Sequence, residues 1–183
     1  MIGGKILKKI IICVFLIFIS SYIFANGDLF TIDNKIIGVK YDENSSDLWL
    51  YSKEVQSKTQ KVIDYYKIES TGPDCRVISI FTDLVNDKNI IFLDVYLGNP
   101  GGRQSLDLQV LYIFEISKNG KFKLLDEKEL VNLHYSVSAQ KLTSNLRNFY
   151  FYNSQTKQLN IYKTNSYENI EIEKIDINQL IKK

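Results

Sequence analysis

A mainly β fold, an antiparallel meander forming a single-domain sandwich or open barrel-like sheet with one or two short helices, is what this 183-residue sequence predicts. Three observations carry that expectation. Runs rich in Ile, Val, Tyr and Phe are interrupted by short polar turns at intervals of roughly 10 to 15 residues, the spacing of hairpin-linked strands. When neighbouring runs in the middle of the chain are paired as hairpins, opposed residues sort onto one apolar face. Only two prolines occur and no low-complexity tract divides the chain, so one domain is the economical reading.

The chain opens with a different signal. Lys5, Lys8 and Lys9 precede an unbroken apolar run from Ile10 to Ile19, and Ala25 offers a small residue at a cleavage point. A basic region, a short apolar core and a small residue make a secretory leader over residues 1–25, followed by a mainly β domain over 26–183. An uncleaved anchor fits less well, because the stretch from Ile10 to Ala25 is broken by Ser20, Ser21 and Tyr22 and falls short of the ~20 apolar residues that span a bilayer. Lipidation at Cys13 would leave Val14 to Ile19 exposed at the new N-terminus. The expected location is therefore the periplasm or the extracellular medium. Abundant Ile, Asn, Lys and Tyr with scarce Ala fit AT-rich codons and a bacterial source.

Turns are expected at Asp42 to Asp47, Thr71 to Asp74, Asn86 to Asn89, Gly98 to Ser105, Lys118 to Gly120, Asn153 to Lys157 and Asn165 to Glu168. Around Asn86 and Asp87 a tight hairpin opposes Ile78 to Val95, Ile80 to Leu93, Phe81 to Phe92, Ser79 to Asp94 and Val77 to Tyr96. A loop centred on Gly101 and Gly102 then opposes Val95 to Leu108, Leu93 to Val110, Ile91 to Tyr112, Tyr96 to Asp107 and Asp94 to Gln109. Past Ile116, a three-residue loop with Gly120 in the left-handed conformation sets Ile116 against Phe122, Phe114 against Leu124 and Glu115 against Lys123. Four strands thus share one apolar face.

Two segments are ambiguous. Val55, Thr59, Val62 and Tyr66, and also Val131, Tyr135, Ala139, Leu142 and Leu146, recur at helical spacing but also alternate as strands do. The second is read as a strand running into a short helix near Ala139 to Leu146. Strands over Asn148 to Asn153, Leu159 to Thr164 and Ile170 to Ile177 complete the chain.

Composition excludes several functions. Without the leader, 20 cations face 21 anions, and no block of like charge marks a nucleic-acid arm. His134 is the sole histidine, so a His-rich metal site is not expected, and no Gly-x-Ser-x-Gly or P-loop pattern occurs. The segment Asp83 to Asn89 faintly resembles the calcium loops of FG-GAP β-propeller repeats, but Val85 and Lys88 stand where oxygen ligands or a turn glycine are needed. It is read as a plain turn, and no family is assigned. No cofactor is expected. After leader removal Cys75 has no second cysteine to pair with, and a buried thiol is the simplest expectation.

What remains is recognition. The face opposite the apolar one carries Ser79, Asp94 and Gln109 in a row, flanked by Phe81 and Phe92 on one side and Tyr96 on the other, and is the candidate ligand-binding surface. A second layer covering it would turn the row into an internal hydrogen-bond network. The expected function is an exported, soluble binding protein for a protein, peptide or envelope glycan. An exported enzyme using Cys75 with His134 or a carboxylate pair, and a structural component of an envelope assembly, are the alternatives.

Overall fold

In the computed structural model, residues 27–55, 61–99, 104–136, 141–166 and 169–182 are described. They form eleven antiparallel strands and one helical turn, arranged as two sheets in which every strand neighbours the next in sequence. The first sheet has four strands, β1 (Gly27–Ile32), β2 (Lys35–Tyr41), β3 (Leu48–Glu54) and β4 (Val62–Ile68). The second has seven, β5 (Arg76–Val85), β6 (Lys88–Tyr96), β7 (Gln104–Ile116), β8 (Phe122–Ser136), β9 (Lys141–Asn153), β10 (Gln158–Ser166) and β11 (Asn169–Asp176), followed by helix α1 (Ile177–Leu180).

The first sheet packs on one face of β5 to β8. Strand period two makes this possible. Leu48 and Leu50 of β3 and Ile37 and Val39 of β2 point inward to meet Ile91, Leu93 and Val95 of β6 and Phe114 of β7, all of them buried. Two polar contacts pin the layers at one end: the Ser52 hydroxyl donates to the Gly120 carbonyl, and Asp64 Oδ2 accepts the Phe122 amide at 2.8 Å. At the other end, the link from β4 to β5 rests on the β6 exit, where Thr71 N–H donates to the Leu97 carbonyl at 2.7 Å. Gly98 has φ +91 there and lies against the carbonyls of Gly72 and Pro73, a place where a side chain would collide.

The second sheet curls over itself. β8 pairs with β7 along its length but with β9 only from Val131 onward, while β9 pairs with β10 only from Asn148 onward. Register shifts between β7 and β8 leave Leu125 and Leu130 as extra residues, and such bulges bend and twist a strand. Both leucines turn to a second core, built from Phe92, Leu111 and Ile113 below and Leu159, Ile161 and α1 above. The result is three layers, with β6 in the middle layer and Ile90 to Val95 buried without interruption.

Ile116, Glu115 and Phe114 face Phe122, Lys123 and Leu124 as expected, and Gly120 is left-handed at φ +80. Asn86 and Asp87 both have positive φ, forming the tight turn, and the pairing holds from Val85 to Ser79. A bulge at Ile78 then shifts it, so Val77 rather than Ile78 opposes Val95 and is buried, while Ile78 is exposed. Between β6 and β7 the register is two residues away from that expected, with Val95 on Val110 and Tyr96 on Gln109. A slip of two keeps every side chain on its face, so the apolar face survives the correction. The expected helix is also corrected: Lys141 to Leu146 belong to β9, where pairing with β8 outweighs the helical spacing.

Each core should fail separately. Val95→Asp and Phe92→Asp are both expected to abolish cooperative melting followed by circular dichroism, because each buries an unpaired carboxylate at a cost of several kcal/mol. Lys123→Asp, on an exposed position, should shift stability by about 1 kcal/mol or less. A parent-like melt for Phe92→Asp would mean that β9 to β11 do not seal the second face.

Candidate functional site

Strand β9 crosses the face that carries the expected binding residues. Phe92 is wholly buried and Asp94 is 4% exposed, whereas Phe81, Ser79, Gln109 and Tyr96 are half-buried. Tyr152 of β9 lies on the stacked Phe81–Phe92 pair, with ring centroids 5.8 and 4.5 Å away. At Phe92 and Asp94 the face is covered, the alternative in which a second layer turns the row into an internal network, because the curl of the second sheet brings β9 over them. Gln109 is not directly opposite Asp94; it reaches across diagonally, and its Nε2 donates to both carboxylate oxygens at 2.8 and 3.0 Å. The hydroxyls of Ser79 and Tyr150 are 3.0 Å apart, and Tyr150 also interacts with Asp94. Tyr96 stands at the rim, where its hydroxyl donates to Asp107 at 2.7 Å and Arg76 stacks on its ring at 4.5 Å.

The other expected features have structural duties. Asp83, in the calcium-loop look-alike, accepts from Tyr152 and pairs with Lys157 at 2.7 Å, which ties β5 to the β9–β10 turn. Burial raises its pKa, but Lys157 and Tyr152 outweigh this and hold the carboxyl below its ordinary value. Cys75 is a free, buried thiol whose pKa burial pushes up to about 11, the opposite of an activated nucleophile. The side chain of His134 lies outside the described residues. Among the described residues no group of three or more His, Cys, Asp or Glu could hold a metal, and no helix is long and apolar enough to cross a membrane.

An accessible site lies on the outer face of the first sheet, which the sequence reading passed over. Because Leu48, Leu50 and Ser52 point inward, Trp49, Tyr51 and Lys53 must point outward. Tyr51 is flanked by Gly38 on β2 and Tyr65 on β4. The missing side chain at Gly38 is what lets the Tyr51 ring cross β2, since a Cβ there would collide with Cζ and the hydroxyl of Tyr51. The ring's far end is fixed on β1, where its hydroxyl donates to Asp28 Oδ1 at 2.6 Å while Lys53 holds Oδ2 at 2.9 Å. Tyr51 and then Lys53 keep the Asp28 carboxyl below its usual range; burial, followed by Asp28, raises the Tyr51 phenol.

Trp49 and Tyr65 meet edge to face at 5.1 Å, and Tyr65 is 63% exposed. With Tyr51 they line a groove of about 1010 Å³, whose polar margin includes Lys40, Asp42 and Glu43. The alternation from Leu48 to Lys53 was the available signal, together with the Asp33–Asn34 turn, whose two positive φ values close the β1–β2 hairpin. No protein-family model matches the chain, and no curated protein matches it. Its class therefore rests on geometry: an antiparallel three-layer β protein with an aromatic groove on an outer sheet.

Asp94 yields a pH prediction. Burial raises its pKa to about 6 against an ordinary 3.8, with Gln109 and Tyr150 only partly compensating. The folded form therefore holds this proton more tightly than the unfolded chain. Its contribution to stability is complete below about pH 4 and is lost as pH rises through 6, a change on the order of 2–3 kcal/mol. Asp94→Asn should melt higher than the parent at pH 7.5 and lose that advantage by pH 4, in paired thermal melts. An advantage that does not change with pH would contradict the assignment.

Proposed function

We propose that this chain is an exported, soluble binding protein whose ligand seats in the groove of the first sheet. The observation that carries the reading is the fixed position of Tyr51. Gly38 admits its ring and Asp28 with Lys53 holds it, so an exposed aromatic surface is set before any ligand arrives. Preorganised aromatic area is effective in recognition because little conformational freedom remains to be lost on binding. The leader over residues 1–25 supports export, and the near balance of charge in residues 26–183 disfavours a nucleic-acid ligand.

The partner classes that fit are a protein, a peptide or a glycan of the cell envelope. The test is co-sedimentation of the exported protein with isolated envelopes of the cells that produce it, with mass spectrometry locating its first residue between Ser21 and Gly27. Trp49→Ala and Tyr65→Ala should each weaken capture about tenfold, the equivalent of ~1.4 kcal/mol, with little change in melting temperature. Capture unaffected by both substitutions, or absent altogether, would overturn the proposal.

A further inference from the structure

We propose that the groove takes a neutral oligosaccharide; the inference rests on the binding reading above and adds the chemistry of the ligand. The first argument is the composition of the lining. Its lining includes the rings of Tyr41, Trp49, Tyr51 and Tyr65, and Val62 is its one aliphatic side chain that is not buried in the core. An aromatic face carries the negative side of a quadrupole, which favours the weakly positive C–H groups on the flat side of a pyranose ring. Around the rings stand groups that suit hydroxyls, the carboxylates of Asp42 and Glu43 and the amide of Asn44.

Charge is the second argument. Lys53 is already paired with Asp28, so Lys40 stands against Asp42 and Glu43 along the margin, and this single net negative charge repels a polyphosphate and is too weak to hold a strongly basic peptide. Backbone geometry is the third argument. The floor of the groove lies over β2 and β3, whose ladders are completed by β1 and β4, so a peptide laid on that floor would meet backbone that is already paired. A ligand that bonds through hydroxyls needs only side-chain partners.

Trp49 is the chain's sole tryptophan and lies in the groove, so its fluorescence reports occupancy there directly. The exported protein is titrated with a panel of neutral oligosaccharides, including β-1,4-linked glucose and N-acetylglucosamine tetramers and α-1,4-linked glucose tetramers. Heparin, polyphosphate and an oligolysine peptide are the comparison probes. A saturable emission change with a neutral oligosaccharide is expected, absent with the charged probes and at least tenfold weaker in Tyr51→Ala. Gly38→Ala, which leaves Tyr51 in place but obstructs its ring, should weaken the same response. If no neutral saccharide acts, or only a charged probe does, while envelope capture still depends on Trp49, the ligand class is wrong and the binding reading stands. If envelope capture is also independent of Trp49, the binding reading itself fails.

Discussion

The double burial of β6 is the constraint on which the rest of the structure depends. Antiparallel sheets commonly keep one face in water, yet Ile90 to Val95 bury both sets of side chains. Ile91, Leu93 and Val95 belong to the core under the first sheet, and Ile90 and Phe92 to the core under β9 to β11. A strand in this position needs cover from two directions. The four-stranded sheet supplies one cover, and the curl of the seven-stranded sheet supplies the other. Asp94 is the polar exception within that run, accommodated by Gln109 from the next strand and by the tyrosine that β9 brings down.

Much of this fold was legible because hairpin register is local. The Asn86–Asp87 turn and the Gly120 loop fix their strands within a few residues, and both pairings hold as expected next to the turn. Legibility fades with distance from a turn. The bulge at Ile78 cannot be seen in the alternation, since Val77 and Ile78 are equally suited to the core, and only packing decides which of them is buried. The two-residue displacement between β6 and β7 has the same origin: both registers place apolar residues on one face, and the intervening loop is too long to choose between them. Lys141 to Leu146 were misjudged because helical spacing in a short segment is weak against a partner strand.

The site was harder to read than the fold. Aromatic residues on a strand face look alike whether they seal a core or meet solvent, and Phe92 with Trp49 shows both outcomes within one chain. The run of four apolar residues from Ile90 to Leu93 does distinguish them in retrospect, since a strand with one wet face needs polar residues at alternate positions. Leu48 to Lys53 keeps such alternation with aromatic and basic residues on the wet side, which marks a surface that tolerates solvent. The role of Gly38 was invisible in the sequence, because its importance lies in the Tyr51 ring that passes over it.

With both faces covered, β6 is expected to be the last element to open. Amide hydrogen exchange followed residue by residue tests it most directly, because protection reports the free energy of the opening that exposes each N–H. The amides of Ile90 to Val95 are expected to exchange slowest, at rates set by global unfolding, with β1, β4 and β11 at the sheet edges exchanging faster. Fast exchange throughout β6, with slow exchange confined to one of the outer layers, would contradict the three-layer account.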